Sequence, residues 1–291
     1  AWLHEGTIPW KRVAISGWVL DPDRKKMSKS KGNVVTPMHL LDQYGSDAVR
    51  YWSRAARLGV DTAFDEKVLK VGRRLVVKVY NATRYVLGQE APEGPITHPL
   101  DLGFLRLLQG TVESATASLD AMDYAGALDT IERFFWDSFT DSYLELVKGR
   151  ARSESDPAGR ASAVAALRQG LNVLLRLLAP YLPYVTEEAW SWDFAGVSKH
   201  SVHLAAWPSA SELASIGTSA GHAEVYELAK AALGAINRAK TLGGGTVGRH
   251  VASLTIAAPQ KTLDLFAKAE ADILAATRVL GLKKLAAADE S

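Results

Sequence analysis

The stretch Glu66–Val86, EKVLKVGRRLVVKVYNATRYV, places Val68, Val71, Leu75, Val79, Ala82 and Val86 at spacings of three or four residues. That period is the stripe of an amphipathic helix, and such a stripe needs a partner surface to cover it. Three further long helices are predicted downstream, at about Leu100–Leu119, Tyr124–Arg150 and Pro157–Ala179, with a short one over Thr186–Trp190. Between them, Gly88–Pro99 holds three prolines and two glycines and reads as a loop, Pro180 and Pro183 punctuate the chain, and 195–207 reads as another loop. Four or five helices with short connections predict a helix bundle.

Outward from the bundle the pattern changes on both sides. Towards the C-terminus, Gly221–Lys240 reads as helix, Leu242–Thr246 as a glycine-rich loop, Val251–Ile256 as an alternating strand and Gln260–Val279 as helix, a small α/β appendage. Towards the N-terminus, Val13–Leu20 is apolar and β-branched and reads as a strand ended by the turn Asp21-Pro22-Asp23. A lone strand needs a sheet, and few strand signals lie nearby. Thr36-Pro37 then offers a helix start running to Tyr44, with Gly45 as a left-handed stop, and Ser46 or Asp47 starts a second helix to about Leu58. The fold class expected is mainly α, a helix bundle with a small C-terminal α/β cap.

The composition suits such a fold. The 291 residues are 47% hydrophobic and 23% charged, enough for about two domains and too apolar for a disordered chain. No apolar run approaches the length of a membrane-spanning helix, and the first residues lack the basic and apolar regions of a signal peptide. A cytoplasmic location is the default expectation. Zero cysteines exclude disulfides and thiolate metal sites. Charge is uneven, with 16 Lys/Arg against 9 Asp/Glu over 1–90 and 18 against 23 over 91–291. A basic first third fits phosphate partners, whether nucleotide or nucleic acid, and it fits chance clustering on solvated helix faces equally well.

The chemistry concentrates in Lys26-Met27-Ser28-Lys29-Ser30-Lys31-Gly32-Asn33. Lys26 and Lys29 put two ammonium groups three residues apart, with hydroxyls between them. Gly32 permits a sharp turn, and Asn33 can bind the loop to itself. Lysine is a compact, movable point charge suited to a phosphate whose charge changes. Such a loop can stabilise charge developing at an α-phosphate and a leaving pyrophosphate. The bland alternative is a solvated basic loop.

KMSKS followed by KGN resembles the second signature of class I aminoacyl-tRNA synthetases. Gly45–Trp52, Phe135–Glu145, Leu178–Trp190 and His203–Pro208 are similar to landmarks of the isoleucyl/valyl/leucyl subgroup. Asp61–Glu66 and Asn81–Leu87 look most like the valyl-tRNA synthetases, with an isoleucyl-type enzyme as the alternative. The resemblance covers most of residues 1–210 and, more weakly, the tail. It implies three parts: a catalytic-domain remnant with the lysine loop at 1–65, an anticodon-binding helix bundle at 66–210, and an α/β C-terminal region at 211–291. It implies that Lys26 and Lys29 are catalytic and that Lys26, Met27, Ser28, Lys29 and Ser30 bind ATP, with Lys31, Gly32 and Asn33 supporting the loop. ATP would be the substrate, accompanied by Mg²⁺, and tRNA(Val) the partner. No carboxylate cage is visible, so no metal ligand is assigned.

The first signature of the class, a His-x-Gly-His motif, is absent from all seven histidine contexts. The expectation is therefore a C-terminal portion of a valyl-type synthetase that does not activate an amino acid alone, because catalysis needs all reacting atoms held in register. A non-catalytic tRNA-binding paralogue and a fragment needing a partner chain remain alternatives. Arg50, Arg54 and Arg57 at spacings of four and three are expected to share a helix face towards tRNA, joined by Arg73 and Arg74. Lys148 and Arg150 either approach the anticodon stem or complement a helix end. Phe135, Phe139 and Tyr143 read as core, and so do Trp190 and Trp192. Arg238, Lys240 and Arg249 flank the glycine loop as weaker tRNA candidates.

Overall fold

The structure, a computed structural model, describes residues 1–54, 56–196 and 200–286. Position 55 of the expected second helix, 197–199 of the expected loop and 287–291 of the C-terminal region lie outside them. The N-terminal part holds α1 (Trp2–Glu5), β1 (Val19–Leu20), the lysine segment with one 3-10 turn at Lys29–Lys31, α2 (Met38–Tyr44), α3 (Ser46–Ser53) and β2 (Thr62–Ala63). The long helices follow: α4 (Glu66–Leu87), α5 (Pro99–Asp120), α6 (Tyr124–Arg133), α7 (Leu144–Val147), α8 (Pro157–Leu178) and α9 (Pro183–Ser191). The rest is α10 (Ala210–Ala214), α11 (Ala220–Leu242), β3 (Leu254–Ala258), α12 (Gln260–Ala267), α13 (Glu270–Thr277) and β4 (Leu282–Ala286). The mainly α expectation holds. Among the described residues no helix is long and apolar enough to cross a membrane.

Side-chain caps fix where the bundle helices start. Asp65 accepts from the Lys67 amide at α4, Asp123 from Gly126 at α6 and Asp156 from Gly159 at α8. Proline fills the first position of α5, α8 and α9, where an amide would have no intrahelical partner. The buried face of α4 follows the expected stripe from Leu75 to Val86 and departs from it by one residue in the first two turns. Leu69, Gly72, Leu75, Val79, Ala82 and Val86 are buried, while Val68 and Val71 are half-buried. The cause is Tyr51 of α3, whose ring lies 2.8 Å from where a Gly72 Cβ would stand. Without that side chain absent, α3 and α4 could not approach so closely.

The expected helix over Tyr124–Arg150 is one continuous rod whose middle, Phe134–Tyr143, is wound as π-helix between α6 and α7. It carries Phe134, Phe139 and Tyr143 onto Phe104 of α5, whose ring stacks on Tyr143 at 3.9 Å between centroids. Tyr226 of α11 closes the same aromatic cluster. Phe135, Phe139, Tyr143 and Trp190 are core, as read from sequence, but Trp192 is more than a third exposed. Helix α11, placed by the sequence in the C-terminal region, lies along α5 and buries Val225, Tyr226, Ala229, Leu233 and Ile236 in the bundle core.

Four local expectations are corrected. Of the anticipated strand, Val19–Leu20 forms a regular strand, parallel to Thr62–Ala63, and Ser16 makes an isolated antiparallel bridge to Leu58. Val13, Ile15 and Trp18 stay mostly exposed, although the segment 57–62 runs beside them and the Gly59 and Thr62 amides donate to the Ile15 and Trp18 carbonyls at 2.8 and 2.9 Å. Gly45 has positive φ but ψ of 160°, so it turns the chain from α2 into α3 rather than forming a left-handed cap. Helix α3 stops at Ser53 rather than at Leu58. The expected Gln260–Val279 helix is two helices, α12 and α13, separated at Lys268–Ala269. They connect β3 to β4, which pair in parallel from Leu254↔Leu282 to Ala258↔Ala286.

Candidate functional site

The lysine loop leaves β1 and is braced by two polar side chains. Asp21, buried at the end of β1, accepts hydrogen bonds from the Lys25 amide at 2.7 Å and the Asn33 side-chain amide at 2.8 Å. Asn33 in turn accepts from the Ser28 amide at 2.9 Å and donates to the Lys26 carbonyl at 3.3 Å. One asparagine thus ties both limbs of the loop together. The Asn33 and Lys25 hydrogen bonds hold the Asp21 carboxyl below its ordinary pKa. At the tip, Gly32 takes φ of 67° and donates its amide to the Lys29 carbonyl, closing the 3-10 turn. The Ser28 and Ser30 hydroxyls lie 3.2 Å apart, and Met27 is half-buried.

This brace leaves the ammonium groups unneutralised. Among the described residues, Lys26, Lys29 and Lys31 have no carboxylate partner, and all three are exposed. Lys26 rests 3.3 Å from the centre of the Trp18 ring. A cation over an exposed aromatic ring is worth only about 0.5–1 kcal/mol, so a phosphate can displace the ring. Asp21 escapes a sequence reading, since an Asp-Pro-Asp turn gives no sign of a partner twelve residues on.

Helices α2 and α3 carry the loop onto the bundle through a polar junction. The buried Asp47 carboxylate accepts from the Tyr184 amide at 3.1 Å and the Val185 amide at 2.8 Å. It therefore caps α9 from a different helix, 137 residues away. Arg50 donates to the Pro180 carbonyl at 2.9 Å. Tyr51 donates to Glu132 at 2.7 Å, and burial together with that carboxylate pushes its phenol up to about 12. Arg54 is paired with Asp129 and Glu132 of α6 and donates to the Tyr51 hydroxyl. Arg57 also reaches Asp129, at 3.3 Å.

The basic residues singled out in the sequence therefore divide. Arg50, Arg54 and Arg57 do not form one helix face, since α3 ends before Arg54, and Arg54 is engaged inside the junction rather than turned to solvent. Arg150 is a clearer correction. Its guanidinium is almost fully buried, forms a fork with Asp101 at 2.7 and 2.8 Å, and bonds Asp272 of α13 at 3.0 and 3.1 Å. Burial opposes its charge, but the hydrogen bonds and charges of Asp101 and Asp272 outweigh burial, and its pKa is raised. Tyr143 and Ser162 donate to Asp101 as well. Lys148 pairs with Glu145 at 2.9 Å. Lys240 is buried and donates to the Val247 and Thr277 carbonyls, so it holds the glycine loop rather than facing outward. Arg73 and Arg74 of α4, and Arg238 and Arg249 beyond it, stay exposed. His203 packs its ring nitrogen against the Pro183 carbonyl at 3.1 Å.

Comparison with known proteins covers both parts of the chain. Residues 101–248 match the family described as anticodon-binding domain of tRNA ligase, and residues 3–65 match tRNA synthetases class I (I, L, M and V). A valine–tRNA ligase of Leifsonia xyli subsp. xyli is 47% identical over 99% of this chain and 33% of its own length. One from Salinispora tropica is 48% identical over 92% of this chain and 33% of its own length. The chain thus spans about a third of the length of the curated relatives it matches. Among solved structures, the agnB2 LeuRS of Agrobacterium radiobacter K84, in a ternary complex with tRNA and LeuAMS, is 25% identical with a TM-score of 0.52. That match covers 68% of this chain and 23% of the LeuRS chain.

Proposed function

Because the chain belongs to the anticodon-binding family of tRNA ligases, we propose that it is the C-terminal portion of a class I valine–tRNA ligase. In this reading the bundle holds tRNA(Val) and the lysine loop assists ATP-dependent activation of valine. Valine is favoured by the names of the relatives, and a cytoplasmic location accompanies the reading.

The observation that carries it is the pair Lys26 and Lys29, without a carboxylate partner among the described residues, on a loop whose buried carboxylate, Asp21, is engaged by Asn33 and Lys25. In the activation step the valine carboxylate oxygen attacks the α-phosphorus of ATP. The bond from that phosphorus to the pyrophosphate oxygen breaks, and valyl-adenylate and pyrophosphate result. Negative charge grows on the pyrophosphate as it leaves. Two positioned ammonium groups stabilise that charge more than the ground state, which is how a binding group accelerates a step. Mg²⁺ would arrive with ATP as part of the substrate. Asp21 has both oxygens engaged in the brace, so what the loop turns towards the nucleotide is its cations.

The His-x-Gly-His signature does not occur in these 291 residues, so in this reading activation belongs to the complete enzyme. Arg73 and Arg74 remain as tRNA contacts in this reading, whereas Arg54 and Arg150 serve the fold. The direct test is binding of the purified chain to tRNA(Val) and to a non-cognate tRNA across a salt series. Preference for tRNA(Val) that persists at moderate salt supports the reading. Equal binding that falls steeply with salt would reduce the chain to nonspecific electrostatics.

A further inference from the structure

Helix α4 carries six basic residues and one acidic residue, Glu66. Only Lys70 and Lys78 have carboxylate partners among the described residues, which leaves Lys67, Arg73, Arg74 and Arg84 uncompensated. Arg73, Val77, Tyr80 and Arg84 fall at intervals of four, three and four, so they form one outward stripe about 16 Å long. All four are exposed. At the N-terminal end the Arg73 guanidinium lies 3.7 Å from the Cβ position of Gly45, beside the turn that joins α2 to α3. At the other end Tyr80 meets Trp192, which follows α9, edge to face at 5.1 Å. The Arg84 guanidinium sits 6.0 Å from the Tyr80 ring centre, and the Trp192 indole donates to Glu188 at 3.0 Å. Tyr80 and Trp192 are 39% and 37% exposed, so each keeps ring surface free for a ligand.

Single exposed aromatic residues are ordinary on protein surfaces. Here two rings are held against each other and flanked by unpaired guanidinium groups along a helix. The apolar area is only Val77 and two half-covered rings, too little for a hydrophobic protein interface, and the charge along α4 is positive, with the Glu188 carboxylate on the Trp192 side. A flexible nucleic-acid strand meets both features, with phosphates for the arginines and base faces for the rings. We propose that the outward face of α4, with Trp192, is a binding track for an unpaired stretch of RNA, with a base stacked at Tyr80–Trp192 and the backbone on Arg73, Arg74 and Arg84. This rests on the reading of the chain as a tRNA-binding portion and adds the surface that takes the unpaired nucleotides. The track starts beside the helices that carry the lysine loop, so it joins loop and bundle along one line.

The test uses the full 291-residue chain with labelled tRNA(Val) transcript, a short unstructured RNA oligonucleotide and an RNA duplex of the same length, each titrated by fluorescence anisotropy at several salt concentrations. The double variant Tyr80→Ala/Trp192→Ala should weaken binding of the tRNA and the oligonucleotide about tenfold with an unchanged salt slope, while Tyr80→Phe keeps wild-type affinity. The triple variant Arg73→Ala/Arg74→Ala/Arg84→Ala should reduce the slope of log K against log salt by about 2, given ~0.7 per phosphate on a single strand. These side chains are exposed, so unchanged circular dichroism and melting temperature will show that the fold is intact. If the wild-type chain binds tRNA(Val) and all variants bind as tightly, the track is overturned while the tRNA-binding reading stands. If the ring variants lose duplex binding as strongly as oligonucleotide binding, base stacking is overturned. If the wild-type chain binds no tRNA, the reading and the track both fall.

Discussion

The lysine loop and the Arg150 centre each gather basic groups around aspartate, yet they leave the positive charge in opposite states. In the loop, Asp21 is taken up by a neutral amide from Asn33 and a backbone amide from Lys25, and the ammonium groups stay free. At the joint between bundle and tail, Asp101 and Asp272 take the guanidinium itself, and Arg150 is closed off from solvent. A carboxylate that braces backbone leaves nearby cations available for a ligand. A carboxylate that meets the cation removes it from binding and makes it part of the fold.

The largest effect should come from breaking the closed centre. Arg150→Ala leaves two buried carboxylates without their partner and should cost about 3–5 kcal/mol in urea unfolding. A loss below about 1 kcal/mol would mean that the centre does not hold bundle and tail together, and the contrast with the loop would fail. Next comes Lys29→Ala in a complete enzyme, where removal of one charge-stabilising donor should lower the rate of pyrophosphate exchange by about 10²-fold or more. Its unfolding free energy should stay within about 0.5 kcal/mol of wild type, since the side chain is exposed and unpaired. Unchanged exchange would remove the loop from the chemistry.

A smaller effect follows from the brace. Asn33→Ala should raise amide hydrogen exchange across residues 21–33 by the loss of bonds worth about 1 kcal/mol each, with global stability nearly unchanged. The same brace depends on pH with a defined sign. The Asp21 carboxyl is held below its ordinary pKa, so its stabilisation is complete above the unfolded value and is lost as pH falls through the folded one. Loop exchange should therefore rise in acid while Arg150, with its raised pKa, keeps its charge. Equal acid sensitivity of Asn33→Ala and wild type would show that Asp21 does not act through Asn33. The smallest effect is expected for Arg57→Ala, which removes a largely exposed pair with Asp129 and should change stability by about 0–1 kcal/mol. A larger loss would place Arg57 with the closed centre.

Local patterns in the sequence account for most of the fold. The stripe from Leu75 to Val86, the proline starts at Pro99 and Pro157, and the aromatic face of Phe135, Phe139 and Tyr143 depend on neighbours within a few residues. The lysine loop was legible for the same reason, since Lys26 to Asn33 are contiguous. The fate of Arg54 and Arg150 was not, because their carboxylates lie 75, 49 and 122 residues away. Val13–Leu20 carries strand-forming residues, but side-chain preference alone does not make a sheet, and only Val19 and Leu20 have a partner strand. β4, Leu-Lys-Lys-Leu-Ala, shows no strand pattern of its own and is extended because β3 accepts it.

The Asp47 cap bears on how this chain can be cut. Removing one N-terminal helix cap typically costs about 0.5–2 kcal/mol. A bundle expressed from Glu66 onward would start α9 with bare amides at Tyr184 and Val185, because their acceptor stays with the discarded piece. Asp129 and Glu132 would also emerge without Arg54, a cluster of negative charge at the cut surface. The natural seam for dissecting the protein therefore lies upstream of α3, and a shorter bundle would need a replacement cap and neutral residues at positions 129 and 132 to stand alone.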